Sequence, residues 1–187
     1  MNRRISKRLQ GTAYHEAGHA VVAHYFEIPV ITISIVPDGD LGGSVTYYPL
    51  PAGVDWLFAI QPISEEDDAE IPDGLIDCIL RHDIEALVMA GMAGMLAEKR
   101  VYRRHLRQGA AHDYYNTYRD LRRLEGNERV IAAYWKYLEV RTDDLLNQPS
   151  VWASVEAVAE ALLTKSSLTC DEMIEAIREG HRKAFGV

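Results

Sequence analysis

Cysteine is scarce in this chain of 187 residues, which contains only Cys78 and Cys170. Two cysteines so far apart in the sequence cannot form the disulfide framework of a small secreted domain or a cysteine-based zinc site. We therefore expect reduced thiols and a cytoplasmic protein.

Long hydrophobic runs are also absent. The longest apolar stretch, at residues 86–97, has twelve residues, whereas a membrane-spanning helix needs about 20. Near the N-terminus, residues 11–16 interrupt any apolar run that could form a signal peptide. The sequence therefore predicts a protein without a membrane segment.

Basic residues are fewer than acidic ones: the chain has 20 Lys and Arg and 28 Asp and Glu, which gives a formal net charge of −8. This balance argues against nucleic acid as a partner, and the basic stretch at 99–107, in which Tyr102 is the one Phe, Tyr or Trp, makes only a weak case for one. That stretch is typical of a solvated helix end; alternatively, it flanks a cleft and favours acidic substrates or an acidic partner. The acidic residues at 64–73 are accompanied by Pro62 and Pro72, which indicates a solvated loop.

Repeats and low-complexity tracts are missing as well, whereas 48% of the residues are hydrophobic. We therefore expect residues 1–187 to form a single domain with a full core. Apolar spacing predicts helices at 5–26, 75–100, 110–124, 128–146, 150–163 and 171–183, and alternation predicts strands at 30–36 and 43–48. Thr169 and Glu172 fit a capping box for the last helix. The predicted fold is mainly α with a small β-hairpin.

One motif carries most of the chemical information. His15, Glu16 and His19 match the pattern HExxH. On a helix, side chains four residues apart lie on one face, about 5–6 Å from each other, so both imidazoles can bind one metal ion. Glu16 then lies beside them, where its carboxylate can act as a general base toward water. A shuffled chain would contain the pattern by accident in roughly one case in fifty, and the alternative is a core helix with two histidines.

A catalytic zinc ion usually has three protein ligands, so one ligand must come from elsewhere in the chain. His24 is excluded, because it lies about half a turn around the helix from the motif histidines. Glu98, His105, His112 and Asp113 remain as candidates, and sequence spacing does not separate them. Glu98 ends an apolar helix, where a buried carboxylate needs a partner such as a metal or one of its ligands.

Four segments, in the same order, resemble the peptidase domain of the FtsH family of zinc metalloproteases. They are 14–22, similar to the family's HEAGHA segment; 31–43, similar to its strand, proline and Leu-Gly turn; 89–98, similar to its small-residue helix ending in Ala-Glu; and 109–113, similar to its Gly-Ala-x-x-Asp segment. The resemblance implies a helical bundle that carries the HExxH helix. It also implies that His15, His19 and Asp113 hold Zn²⁺ and that Glu16 is the base.

The function implied by the resemblance is that of a zinc-dependent metalloendopeptidase acting on an unfolded protein or peptide. The chain contains neither a GxxxxGK[ST] phosphate loop nor a membrane segment. We therefore expect hydrolysis without ATP. Ring assembly in the family depends largely on the ATPase domain, so the sequence gives no reason to expect a ring here. The predicted strand at 45–48 is either an ordinary amphipathic edge or a platform for an extended peptide.

Two other functions are compatible with these motifs. The chain is alternatively a zinc-holding module that works when docked on a separate ATPase or scaffold, or a protein-binding domain with little turnover. The presence of Glu16 argues against the last of these, because a protein that only binds has no need for a general base.

Overall fold

The computed structural model describes residues 6–37, 42–47, 73–102 and 107–186, with side chains throughout except at 73–80 and 107–110. Within these ranges the chain forms six helices and a three-stranded antiparallel sheet, so the prediction of a mainly helical fold is confirmed. None of the described helices combines the length and the apolar character needed to cross a membrane. The predicted acidic loop at 64–73 lies outside the described residues, except for Asp73, which begins a helix. The single domain at 1–187 stays a prediction.

Helix α1 spans Lys7–Tyr25, close to the predicted range. The Ser6 side chain caps its start by accepting a hydrogen bond from the Leu9 amide. After the helix ends, Glu27 adopts a positive φ of 59°, and Pro29 follows, so the backbone leaves the helical path. The buried middle of α1 consists largely of small residues, namely Gly11, Ala13, Ala17, Gly18, Ala20, Val21, Val22 and Ala23. Small side chains let neighbouring elements approach this helix closely.

The sheet contains β1 (Val30–Ser34), β2 (Ser44–Tyr47) and β3 (Ser167–Thr169) in the order β2-β1-β3. Strands β1 and β2 pair antiparallel, as predicted. The sequence prediction missed β3, which pairs with the other edge of β1 and places Leu168 opposite Ile33. Both of these side chains are buried, so the short third strand is stabilised by burial of Leu168 against its partner and the core.

Helix α2 spans Asp73–Tyr102 and packs directly against α1. The approach is close at Gly18, where an added Cβ would lie 2.6 Å from the Ala93 carbonyl oxygen and 2.8 Å from the Ala97 Cβ. Both alanines are fully buried. Small residues on both helices therefore set the distance between α1 and α2.

Four more helices complete the described fold: α3 (Arg107–Leu121), α4 (Glu128–Leu146), α5 (Pro149–Lys165) and α6 (Cys170–Phe185). Helix α2 packs against α3 and α4, whereas α5 packs against α1 and α6. The predicted capping box of Thr169 and Glu172 is present at the start of α6. Because α1 and α3 pack on the same helix, residues far apart in the sequence meet beside α2.

Candidate metal centre

The three motif residues His15, Glu16 and His19 lie in the buried middle of α1, where each is 6–7% exposed. The two imidazole rings meet edge to face, with their centroids 4.6 Å apart. Their Nε2 atoms are 3.0 Å apart. One helical turn thus brings both Nε2 atoms to the same place, as the motif predicts.

Asp113 reaches this pair from α3. Its Oδ2 lies 2.9 Å from His15 Nε2 and 3.4 Å from His19 Nε2. One turn further along α3, Thr117 packs so tightly on α2 that a Cβ at Gly91 would lie 2.6 Å from its Cγ2. The Thr117 hydroxyl also donates a hydrogen bond to the Asp113 carbonyl. The contact of α3 with α2 therefore positions the aspartate.

The Oδ2 atom of Asp113 is buried, yet it accepts no hydrogen bond from any residue that the structure describes. The two Nε2 atoms are close to it without meeting the geometry of a hydrogen bond. A buried acceptor that lacks a partner is uncommon in folded proteins, and a bound ion is one of the explanations for it. This orphaned oxygen is an observation in favour of a metal at the site.

The spacing of the three donor atoms also fits zinc. Zinc binds nitrogen and oxygen ligands at about 2.0–2.1 Å, which places neighbouring tetrahedral ligands about 3.3 Å apart. The three separations in this site are 2.9, 3.0 and 3.4 Å. The group of His15, His19 and Asp113 can therefore hold a metal ion, and three ligands leave a fourth position for water or substrate.

Contacts behind the rings orient the histidines. His19 Nδ1 lies 2.8 Å from the Ala90 carbonyl oxygen. Because a carbonyl only accepts, Nδ1 is the donor, and in the neutral imidazole Nε2 then has the lone pair that a metal requires. His15 Nδ1 lies 3.5 Å from Oε2 of Glu98, which is 2% exposed. A Cβ at Gly94 would collide with His19 Nε2. Helix α2 thus supplies both the partners and the space that the two imidazoles require.

Glu16 lies beside the candidate ligands and against the residue that precedes β2. A Cβ at Gly43 would lie 2.8 Å from Oε1 of Glu16 and 2.6 Å from the Ser34 carbonyl oxygen. Burial raises the pKa of Glu16, although the neighbouring imidazoles of His19 and His15 act in the opposite direction. A carboxylate with a raised pKa is a stronger proton acceptor, as a general base requires.

The electrostatics of the group favour positive charge. Burial lowers the pKa of His15, but the carboxylates of Asp113 and Glu98 outweigh this effect and raise that pKa to about 10. Burial raises the pKa of Asp113, whereas the imidazoles of His19 and His15 hold it well below its usual range. Surroundings that favour protonated imidazole also favour a metal cation among the same atoms.

Two other histidines considered from the sequence, His24 and His112, lie apart from this group. His24 is exposed at the end of α1, and His112 is exposed on α3. His105 lies outside the described residues. Among the candidates for a third ligand, Asp113 is the one that the described structure groups with the motif histidines.

Part of the basic stretch has a structural role. Arg100 donates hydrogen bonds to the Leu146 carbonyl and to Oδ1 of Asn147, at 2.9 and 2.8 Å. Its guanidinium also lies 4.1 Å from the ring centroid of Trp152. This arginine therefore ties the end of α2 to the end of α4 and the start of α5.

Three supporting contacts were not predicted, namely Gly43 against Glu16, Gly94 against His19, and the Ala90 carbonyl on His19 Nδ1. The glycines and alanines of 89–98 are the signal that pointed to close packing, but the pattern does not say which residue meets which imidazole. Gly43 was assigned to the start of the predicted strand at 43–48, and that assignment does not point to a contact with Glu16.

Similarity to known proteins adds no information to this geometry: no protein-family model matches the chain, and no curated protein matches it significantly.

Proposed function

We propose that this protein is a zinc-dependent metalloendopeptidase that hydrolyses peptide bonds with an activated water. The observation that supports this most directly is the convergence of three donor atoms from His15, His19 and Asp113. Beside them lies the buried carboxyl group of Glu16, whose raised pKa suits proton transfer. A site that only stored a metal ion would not need this fourth group.

Zinc is the metal that the donor set favours. Two imidazole nitrogens and one carboxylate oxygen, with a fourth position open, are typical of catalytic zinc sites. Magnesium and calcium prefer oxygen ligands throughout. The orphaned Asp113 Oδ2 and the ligand spacing described above support the same assignment.

The proposed mechanism assigns one task to each residue. Zinc, when bound, supplies Lewis acidity that polarises the substrate carbonyl and makes water easier to deprotonate. Glu16 accepts a proton from the attacking water as the new carbon–oxygen bond forms. It then donates this proton to the leaving amine nitrogen as the carbon–nitrogen bond breaks. His19 remains in one orientation, because its Nδ1 is held by the Ala90 carbonyl.

We further propose that the chain adopts the fold of an FtsH-type peptidase domain. The four segments that resemble this family fall on α1, on β1 and the residues after it, on α2, and on α3. Helix α2 brings the first, third and fourth segments together around the candidate ligands. The chain has no phosphate-binding loop, and in this proposal the chain itself carries out hydrolysis without ATP.

Strand β2 is the proposed platform for the substrate. Among the described residues it pairs on one side only, with β1. Gly43, directly before β2, contacts Glu16. A peptide paired with the other edge of β2 would be held by backbone hydrogen bonds and would pass close to this base. Backbone pairing is independent of side chains, so an unfolded protein or peptide is the expected substrate class.

The test compares zinc content and cleavage of a fluorescein-labelled unfolded protein for the wild type, Glu16→Gln and Asp113→Ala. Glu16→Gln should retain zinc and lose at least about 100-fold in turnover, because the base is removed and the ligands are kept. Asp113→Ala should lose most of its zinc. His24→Ala is the matched control, since it removes an exposed histidine of the same helix and should behave like the wild type.

The ligand assignment, the mechanism and the peptidase function can each be contradicted by a different result. Full zinc occupancy in Asp113→Ala would exclude Asp113 as a ligand, and unchanged turnover in Glu16→Gln would exclude the mechanism. A wild type that binds zinc without cleaving would instead favour a module that is docked on a separate ATPase or scaffold, or one that only binds proteins.

A further inference from the structure

One face of β2 is directed toward the core and α1. Alternate residues of a strand share a face, so Val45 and Tyr47 point to the same side of the sheet. Val45 lies opposite Ile33, and Tyr47 lies opposite Val30. Ile33 and Val30 are both buried, and the two β2 side chains pack against the same hydrophobic core. This face therefore turns away from solvent.

The same face continues toward Glu16. Gly43 lies two residues before Val45, and a Cβ built on it would lie 2.8 Å from Oε1 of Glu16. The face of β2 that carries Val45 and Tyr47 is therefore also the face that meets Glu16 at Gly43. Of the residues at 43, 45 and 47, Tyr47 alone carries a polar group.

The Tyr47 hydroxyl is influenced by two carboxylates that belong to different helices. Burial raises the pKa of Tyr47, and the negative charges of Glu16 and Asp113 raise it further. The hydroxyl makes no hydrogen bond with another residue in the part of the chain that the structure describes. A tyrosine hydroxyl in such surroundings usually has a partner. Tyr47 thus offers a hydrogen-bond donor on the face of β2 that meets Glu16.

We propose that Tyr47 is a second catalytic residue, whose hydroxyl donates a hydrogen bond to the oxygen of the scissile peptide carbonyl. This inference rests on the proposed peptidase function. When water attacks the carbonyl carbon, the π electron pair of the carbonyl moves onto its oxygen, and negative charge develops there. The Tyr47 O–H bond stays intact and stabilises that charge. Such a donor accelerates the reaction because its bond strengthens in the transition state.

The position of Tyr47 also connects catalysis with substrate binding. The strand that carries this hydroxyl is the proposed platform for the peptide, so a substrate in register with β2 would be aligned with the donor at the same time. Glu16 would act on the water, and Tyr47 on the carbonyl oxygen. The two groups therefore have separate tasks that separate experiments can distinguish.

The test uses Tyr47→Phe, which keeps the ring and removes the hydroxyl, with the exposed Tyr25 changed to Phe as the matched control. The substrate is an internally quenched peptide that contains a bond cleaved by the wild type in an unfolded protein. We expect kcat to fall on the order of 100-fold in Tyr47→Phe, with KM changed less than about twofold. Zinc content and melting temperature should equal those of the wild type, and Tyr25→Phe should match it in every measurement.

A binding measurement separates this role from a structural one. A phosphinic analogue of the same peptide imitates the charged tetrahedral transition state, and calorimetry should show it binding at least about tenfold more weakly to Tyr47→Phe. The uncleaved peptide, measured in a Glu16→Gln background, should bind equally with and without the Tyr47 hydroxyl. Equal loss of affinity for both ligands would indicate a general packing role and overturn the inference.

The outcomes distinguish this inference from the proposal on which it rests. If the wild type cleaves the peptide and Tyr47→Phe cleaves it equally fast, the role of Tyr47 is refuted and the peptidase assignment stands. If the wild type cleaves no peptide bond, the peptidase assignment fails, and the role of Tyr47 fails with it.

Discussion

Two buried glutamates flank the motif histidines, and their positions give them different tasks. Glu16 faces Gly43 at the side where a substrate would bind, whereas Oε2 of Glu98 lies 3.5 Å from His15 Nδ1, on the far side of the ring. A carboxylate in that place keeps the imidazole proton on Nδ1 and leaves Nε2 free for a metal. In the proposed zinc site, Glu98 would thus be a positioning residue that acts through His15.

Replacing Glu98 by Gln removes the charge while it keeps the size of the side chain. We expect zinc affinity to fall about 10- to 100-fold, because an amide supports the ligand less strongly than a carboxylate does. The measurement is competition with a fluorescent chelator of known zinc affinity. At saturating zinc, kcat should change far less in Glu98→Gln than in Glu16→Gln, which separates positioning from proton transfer.

Glu160→Gln serves as the control for loss of one negative charge, since the Glu160 side chain is 69% exposed. Its zinc affinity should equal that of the wild type. If Glu98→Gln also bound zinc with unchanged affinity, the contact with His15 would have no role in metal binding.

Sequence spacing predicts the part of the candidate site that lies within one helix. His15 and His19 are four residues apart, so helical geometry alone places them together. Asp113 could not be derived in this way, because its position depends on how α3 packs against α2. Spacing left it equivalent to Glu98, and the difference is tertiary: one carboxylate meets the Nε2 atoms, and the other meets Nδ1.

At the scale of elements, the contact between α1 and α2 depends on the absence of side chains. Gly18 faces the backbone of α2, where an added Cβ would lie 2.6 Å from the Ala93 carbonyl oxygen. A backbone atom cannot rotate away as a long side chain can, so the whole helix would have to move. The same helix pair holds the contact of His19 with the Ala90 carbonyl.

Gly18→Ala should therefore destabilise the fold, even though alanine is a better helix former than glycine. Helix propensity favours the substitution by at most about 1 kcal/mol, whereas overpacking against a backbone atom costs about 2–3 kcal/mol, the upper part of the usual range. We expect a net fall in melting temperature of about 2–8 °C, together with weaker zinc binding. Differential scanning calorimetry checks the first effect, and chelator competition checks the second.

The control for this substitution is Gly126→Ala, because nothing lies within 4 Å of a Cβ at that position. It should leave the melting temperature unchanged or raise it slightly, through the smaller entropy of the unfolded chain. A Gly18→Ala protein as stable as the wild type would show that α1 and α2 can separate at little energetic cost.

The helices were predictable and the third strand was not, for a physical reason. Each helix repeats its apolar spacing over several turns, which leaves a periodic signal in the sequence. Strand β3 has three residues, Ser167–Thr169, between two helices, too few to show alternation. Its extended backbone is stabilised by pairing with β1, with Leu168 opposite Ile33, and such long-range pairing leaves no local pattern.

For the whole molecule, a bound metal would join two helices that the sequence keeps far apart. His15 and His19 belong to α1, Asp113 belongs to α3, and both helices rest on α2. An unfolded chain cannot hold these three groups together, so a metal binds the folded state preferentially. Binding energy then contributes directly to the free energy of unfolding.

Removing zinc with a chelator should therefore lower the melting temperature of the wild type. At free zinc about 100-fold above Kd the stabilisation is about 2.7 kcal/mol, which corresponds to roughly 5–11 °C for a protein of this size. Asp113→Ala should show little difference between zinc and chelator, whereas His24→Ala should retain the full shift. A wild type with the same melting temperature under both conditions would mean that no metal joins α1 to α3, because linkage requires any ligand of the folded state to stabilise it.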